Sequence, residues 1–317
     1  MTAVTLFGIS NGIGAEFRIA GTNRIIDQAG RMISIDRPFK RIISLYGAHT
    51  ENLFSLGLNK EIIGVSRHEA YPPEALGKPV FSYREDPEKF MAARPDLVLI
   101  RPMIDRGYPR FIRRLEKSGI TVVSLQPGSI DKMYTYWAIL GVLSGRASMA
   151  QRMIHHFQDT VTYFRSLTAN LPFKKKVYFE AIHRKMKTFS PNSMAIFALE
   201  AAGGINIASD AMPVRQTNIA AYGKERILSH ARDIDVYLAQ YGAMNRPTVE
   251  MIRHEPGFTA IKAVADNQVY IIDEKIVSRP TLRLLFGIYE IGTKLYPWIF
   301  TENVRHVIQQ FRQQRDE

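Results

Sequence analysis

Short runs of β-branched and aliphatic residues alternate with helical patterns along this chain from residue 41 onward. Strands that alternate with helices form βαβ units, in which the strands lie parallel and helices cover the sheet. The pattern therefore predicts an α/β fold with mainly parallel sheets flanked by helices. The predicted strands are 41–45, 61–65, 96–100 and 121–125, followed by 176–180, 233–238 and 268–272.

The length of 317 residues exceeds the size at which one hydrophobic core usually stops growing, which favours two lobes. Between the two strand series, apolar residues recur every three or four positions from Met149 to Phe164. This spacing is typical of an amphipathic helix, whose apolar stripe packs against a core. We expect one long, rigid α-helix to join the lobes. The predicted segments are a leader and hairpin over 1–35, an N-terminal lobe over 36–143, the connecting helix over 144–170 and a C-terminal lobe over 171–317.

Charge and cysteine content narrow the function. The formal net charge is +12, but the basic residues are spread and no basic helix carries interleaved aromatics, so we expect no nucleic-acid partner. The absence of cysteine excludes disulfides and thiolate metal sites. No apolar run is long enough to span a membrane. The first 15 residues fit the tail of a truncated signal peptide or an exposed leader.

Catalytic constellations are missing from the sequence. There is no phosphate-binding glycine loop, no dinucleotide fingerprint, no nucleophile elbow and no zinc-protease motif. We therefore predict no catalytic residues, no cofactor and no bound metal site. A receptor for a bare metal ion stays open as an alternative, with His49, His68, His183 and Glu180 near predicted strand ends.

Aromatic and cationic residues follow the predicted strands of both lobes. Open α/β sheets bind ligands at the carboxyl ends of their strands. Tyrosine rings suit a flat macrocycle, and arginine forks suit carboxylates or catecholates. Each residue alone is typical of an ordinary surface, but their recurrence in both lobes favours a cleft for a bulky anionic ligand. The candidate ligand-binding residues are Tyr46, His49, Arg67, His68, Tyr71, Tyr83 and Arg101 in the first lobe, and His183, Arg246, Arg279 and Arg283 in the second.

A weak internal repeat relates the two lobes. In each, a glutamate precedes an aspartate by eight residues across a short helix that leads into a strand: Glu88 with Asp96, and Glu225 with Asp233. Glutamate near a helix N-terminus is favoured by the helix dipole, so the repeat alone does not require a function.

Several segments resemble one known family. The most specific is Arg94-Pro-Asp-Leu-Val-Leu-Ile100, and others are 24–35, 40–57, 64–73, 202–208, 263–270 and 295–297. Together they resemble the siderophore, haem and cobalamin receptors of ABC importers, which are periplasmic binding proteins with a rigid helix between two lobes. The resemblance implies that Glu88 and Glu225 dock on arginines of the permease, and that Tyr71 contacts the ligand. The charged segment 81–87 departs from the family pattern and leaves the ligand open.

The resemblance predicts a monomeric, periplasmic or otherwise extracytoplasmic receptor without enzymatic activity. Such a receptor captures a metal chelate and delivers it to an ABC transporter permease dimer. The arginines favour an iron–siderophore or haem, with cobalamin as the alternative. A cytoplasmic enzyme that handles tetrapyrroles, similar to a chelatase, is the hypothesis from a different class.

Overall fold

A computed structural model describes residues 16–67, 69, 71–214 and 217–308. The chain divides into two compact units. Within the described residues, the first unit consists of 16–53, Leu58–Gln126 and Ile139–Arg146. The second unit consists of Phe54–Gly57, Pro127–Ala138 and the described residues from Ala147 onward.

A three-stranded antiparallel sheet opens the first unit. Its strands, in spatial order, are β1 (Arg18–Gly21), β2 (Arg24–Ile26) and β3 (Met32–Ser34). The predicted hairpin is present as β2 and β3. The buried carboxylate of Asp27 accepts a hydrogen bond from the Ser124 backbone N–H at 2.9 Å, which ties this sheet to the main body of the unit.

The first unit's main sheet has five parallel strands. They are β4 (Ile42–Ser44), β5 (Ile62–Ser66), β6 (Val80–Phe81), β7 (Leu97–Ile100) and β8 (Thr121–Ser124), in the spatial order β6-β5-β4-β7-β8. All four strands predicted here are present. The two residues of β6 are too few to show a pattern in the sequence. The helices are α1 (Gly47–Ser55), α2 (Pro87–Ala93), α3 (Pro102–Gly107) and α4 (Pro109–Lys117), with a 3-10 helix at Pro73–Gly77.

The helix α5 (Ile130–Ser144) has residues in both units, and α6 (Ala147–Thr168) belongs to the second. Met153, Phe157, Val161 and Phe164 of α6 are buried, as the predicted stripe requires. Phe157 packs edge to face on Trp137, with ring centroids 5.4 Å apart. The stripe therefore serves core packing, and the role of this helix as the connector between lobes stays a prediction.

The second unit contains a mixed sheet. Its strands are β9 (Lys176–Ile182), β10 (Lys187–Phe189), β11 (Ile205–Asn206), β12 (Met212–Pro213), β13 (Ile219–Ala221), β14 (Val236–Tyr241) and β15 (Val269–Asp273). The spatial order is β12-β13-β10-β9-β14-β15, with β11 beside β9. The three predicted strands β9, β14 and β15 are parallel, while β10, β12 and β13 form an antiparallel edge that the sequence pattern did not predict.

Helices cover this sheet. They are α7 (Met194–Ala201), α8 (Lys224–Ser229), α9 (Val249–Arg253), α10 (Lys262–Ala265), α11 (Glu274–Val277) and α12 (Leu284–Leu295), with 3-10 helices at His183–Lys185 and Phe258–Ala260 and a helical segment at 302–308. The prediction of an α/β fold is confirmed.

Candidate functional site

The parallel sheet of the first unit brings four predicted residues to one edge. Because β4 to β8 all run in the same direction, their carboxyl ends meet at that edge. Arg67 and Arg101 directly follow β5 and β7, while Tyr46 and Tyr83 come two residues after β4 and β6. The order along the edge is Tyr83, Arg67, Tyr46 and Arg101.

Tyr46 and Arg101 are in contact at this edge. The guanidinium carbon of Arg101 lies 4.6 Å from the centroid of the Tyr46 ring, within the range of a cation–π interaction. Arg101 forms no salt bridge with a described carboxylate, and its Nε–H is buried without a hydrogen-bond acceptor in the described part of the chain. A buried donor without a partner is rare in native proteins. The Nη2 of Arg101 lies 3.2 Å from the Met103 sulfur, which is only a weak acceptor.

The buried ring of His49 packs against Tyr46. Its side chain is completely buried, its Nε2 lies 3.1 Å from the carbonyl oxygen of Ile100, and its ring meets Tyr46 edge to face at 5.1 Å. Burial lowers the pKa of His49 from 6.5 to about 3, so the imidazole is neutral and donates to that carbonyl. The ring thus supports Tyr46 and joins β7 to α1, and its place among the ligand contacts stays a prediction.

Tyr83 lines a groove of about 540 Å³ in the first unit. Tyr83 packs on Tyr108 with ring centroids 4.7 Å apart. The guanidinium carbon of Arg84 lies 5.7 Å from the centroid of the Tyr83 ring. The other walls of the groove are Glu85, Pro87, Gly107, Pro109, Arg110, Phe111 and Arg114. Arg67 is exposed, Tyr71 is half-buried and has an interaction partner, and His68 lies outside the described residues.

The second unit repeats this arrangement of strand ends. Its parallel neighbours β9, β14 and β15 also end at one edge. His183 follows β9, Arg246 lies in the loop after β14, and Arg279 follows α11, which itself follows β15. Arg246 is exposed, while Arg279 and Arg283 are half-buried and each has a partner.

A buried carboxylate organises the edge of the second unit. Glu180 is completely buried and accepts hydrogen bonds from the Tyr237 hydroxyl at 2.5 Å, from His183 Nδ1 at 2.8 Å and from Asn245 Nδ2 at 3.3 Å. The Asn245 amide oxygen in turn accepts from the His183 backbone N–H at 3.0 Å. We refer to Glu180, His183, Tyr237 and Asn245 as the Glu180 cluster. It fixes the start of the loop that carries Arg246.

The Glu180 cluster gives His183 a structural role. Its side chain is only 7% exposed, and the hydrogen bond to Glu180 raises its pKa above the usual 6.5. His183 therefore positions the loop, and its place among the ligand contacts stays a prediction. The sequence did not predict that Tyr237 and Asn245 belong to the cluster, because both lie far from Glu180 along the chain. Among the described residues, no group of three or more His, Asp or Glu is placed to hold a metal ion.

Glu88 and Glu225 occupy the same position in two equivalent helices. Each is the second residue of a short helix, α2 or α8. Both are exposed, and Glu88 forms an ion pair with Arg114 at 2.9 Å. The Asp86 side chain caps α2 by accepting from the Glu88 backbone N–H at 2.9 Å.

The structure also corrects the second half of the internal repeat. Asp96 accepts from the backbone N–H groups of Lys40 and Arg41, just before β4, at 2.8 Å each. Asp235, not Asp233, makes the equivalent bond to the Lys176 backbone N–H at the start of β9, at 2.9 Å. Both aspartates directly precede the neighbouring strand, β7 or β14. The structural repeat therefore pairs Glu88 and Asp96 with Glu225 and Asp235.

The fold is that of an α/β solute-binding protein. The sequence profile of the periplasmic binding protein family matches residues 42–276, and the chain belongs to this family. The resemblance noted in the sequence is confirmed. Among the helices that the structure describes, none has the length and apolar character needed to cross a bilayer.

Individual relatives agree with the family. An uncharacterized ABC transporter substrate-binding lipoprotein of Bacillus subtilis, YvrC, is 25% identical over 287 residues, which cover 88% of this chain and 87% of the relative. The vitamin B12-binding protein of Vibrio cholerae is 24% identical over 262 residues, covering 81% and 90%. The crystal structure of a possible iron-binding periplasmic solute-binding protein from Staphylococcus epidermidis is similar with a TM-score of 0.72 and 25% identity, covering 82% of this chain and all of that one (100%).

Proposed function

We propose that this chain is the extracytoplasmic, monomeric solute-binding subunit of an ABC importer. It binds an anionic metal chelate, an iron–siderophore or haem, and delivers it to a permease dimer that recognises Glu88 and Glu225. It binds its cargo without converting it chemically. Membership of the periplasmic binding protein family supports the transport role.

The contact between Arg101 and Tyr46 carries the choice of cargo. A tyrosine face with a guanidinium 4.6 Å from its centroid offers a flat apolar surface beside a fixed positive charge. Ferric catecholates and haem combine those two features, since each has planar aromatic parts and negative oxygens. The exposed Arg67 at the same edge adds a second cation.

A corrinoid is the second candidate cargo. The observation in its favour is the similarity to the vitamin B12-binding protein of Vibrio cholerae over 262 residues. A corrin ring is also a large macrocycle that would stack on tyrosine, but cobalamin carries neutral amides at its periphery. It would therefore use Arg101 less than an anionic chelate does.

A ligand panel separates these candidates. Intrinsic fluorescence is titrated with ferric catecholate and hydroxamate siderophores, haemin and cyanocobalamin, each beside its metal-free form where one exists. We expect the strongest quenching from a ferric siderophore or haemin, with a Kd below about 10 µM, or about −7 kcal/mol. Tight binding of cyanocobalamin alone would overturn the preference for an anionic chelate. Absence of binding by the whole panel would overturn the ligand class.

A further inference from the structure

Helix α4 carries four cations on one side. They fall at spacings of three, four and seven residues, so they share one helical face. The opposite side of the helix packs into the core through Phe111, Ile112 and Leu115. The four cations, here called the basic face, are Arg110, Arg113, Arg114 and Lys117, and they line a hollow of about 340 Å³.

This arrangement is only partly favourable to the helix, because the dipole favours Arg114 and Lys117 in the last turn but not the other two cations. Like charges three or four residues apart repel each other. Arg110, in the first turn, also faces the positive end of the helix dipole. Side chains that lower the local stability of a helix are expected where a surface has a function.

The neighbouring acids neutralise one of the four cations of the basic face. Asp105 and Glu116 both form ion pairs with Arg31, at 2.5 and 3.3 Å. Glu88 forms an ion pair with Arg114. Arg110, Arg113 and Lys117 form no salt bridge with any residue that the structure describes, and all three are exposed.

A groove with aromatic walls adjoins the basic face. Arg110 and Arg114 line both the hollow and the groove of about 540 Å³ that contains Tyr83 and Tyr108. Tyrosine beside arginine or lysine is the combination that protein surfaces use at the boundary between lipid headgroups and acyl chains.

We propose that the basic face of α4 binds the anionic phospholipid headgroups of a membrane surface. Arginine forks pair with phosphate oxygens in a bidentate manner, and several cations on one helical face recognise anionic lipid. None of the four cations is among the strand-end candidates, although the adjoining groove contains Tyr83 of that edge. Lipid binding is therefore assigned to the four cations of α4. It agrees with the proposed delivery to a permease but does not rest on it.

Flotation with lipid vesicles tests the proposal. The full chain is mixed with vesicles of phosphatidylglycerol and phosphatidylcholine, or of phosphatidylcholine alone, over a series of NaCl concentrations. We expect binding to the anionic vesicles only, and weaker binding as salt screens the charges. The variant Arg110→Gln/Arg113→Gln/Lys117→Gln should lower the partition coefficient by about 100-fold, because each cation near an anionic surface contributes about one factor of five.

A matched control removes the same three charges elsewhere. Lys60, Lys174 and Arg232 are exposed and lie away from α4 in the sequence. The variant Lys60→Gln/Lys174→Gln/Arg232→Gln should keep the partition coefficient within about threefold of the wild type if the basic face carries the binding. Circular dichroism confirms that both variants are folded. Equal losses in the two variants would show that net charge alone attracts the membrane, and failure of the wild type to bind anionic vesicles would equally overturn the proposal.

Discussion

The hydroxyl of Tyr237 donates a hydrogen bond to the carboxylate of Glu180 at 2.5 Å, and both side chains are completely buried (0% exposed). A buried charge is tolerated only when its hydrogen bonds are satisfied. Here Tyr237 shares that task with His183 and Asn245. The neighbouring strand carries a second buried tyrosine, Tyr178, whose hydroxyl has no hydrogen-bond partner in the described part of the chain.

Replacement of these two tyrosines should give different results. Tyr237→Phe removes a donor to a buried carboxylate, so we expect the free energy of unfolding to fall by about 2 kcal/mol. Tyr178→Phe removes a hydroxyl that already lacks a partner, so its effect should stay within about 0.5 kcal/mol or be stabilising. Urea unfolding at pH 7 measures both. Equal losses in the two variants would contradict the hydrogen-bond network.

Acid should destabilise the protein through His49. Burial holds its folded pKa at about 3, whereas the unfolded chain takes up the proton near 6.5. The contribution of the neutral imidazole is therefore fully present above pH 6.5 and is lost as the pH falls toward 3. Between pH 7 and pH 5 the loss should be about 2 kcal/mol. Urea unfolding of the wild type and of His49→Gln across this range measures it.

The difference between the two proteins isolates His49 from the other titrating groups. His183 acts in the opposite direction, because Glu180 raises its pKa and its contribution is lost as the pH rises. His183 is unchanged in His49→Gln, so its effect cancels in the comparison. If His49→Gln keeps the full acid sensitivity of the wild type, the buried neutral imidazole is not its source.

Removal of the Arg101 guanidinium should weaken the binding of an anionic cargo. Arg101→Gln keeps most of the aliphatic stem but loses the charge beside Tyr46. We expect the Kd for a ferric catecholate or haemin to rise about 10- to 100-fold, since a charged hydrogen bond contributes about 1.5–3 kcal/mol. Arg106→Gln, at an exposed position of α3, is the matched control and should leave the Kd unchanged. Equal Kd values for the two variants would exclude Arg101 from the ligand site.

The sequence predicted the framework of this protein well because local patterns set it. Parallel strands buried on both faces appear as apolar runs, and all seven predicted strands are present in the two main sheets. The antiparallel strands β10, β12 and β13 have two or three residues each, too few for periodicity to emerge. The sequence pattern predicts the start of β14 at Asp233, three residues before its actual start at Val236, because Ile234 is also apolar.

The candidate site was less predictable, because burial depends on contacts that are distant in sequence. Topology alone brings Tyr46 and Arg101 to one edge, and that much follows from the strand pattern. The sequence position of His49 just after a strand gave no sign that its ring would bond to the Ile100 carbonyl, 51 residues away. The sequence likewise gave no sign that the His183 ring would be buried, with Nδ1 bonded to Glu180 and its backbone N–H bonded to Asn245.

The exposed Glu88 and Glu225 should affect delivery without affecting capture. The side chains of Glu88 and Arg114 are 68% and 52% exposed, so their ion pair contributes at most about 1 kcal/mol to stability. Glu88→Gln/Glu225→Gln should therefore fold normally and keep its cargo affinity, yet abolish uptake in cells that depend on this receptor. The measurements are ligand titration of the purified protein and accumulation of labelled cargo by the cells.

Arg114→Gln separates docking from the loss of that ion pair. It breaks the pair as Glu88→Gln does, but it leaves the Glu88 carboxylate exposed and available to a cationic partner. Uptake should therefore persist in Arg114→Gln, and we expect it to equal or exceed that of the wild type. Loss of cargo affinity in the double glutamate variant would place these residues in the ligand site. Normal uptake by that variant would show that the permease recognises another surface.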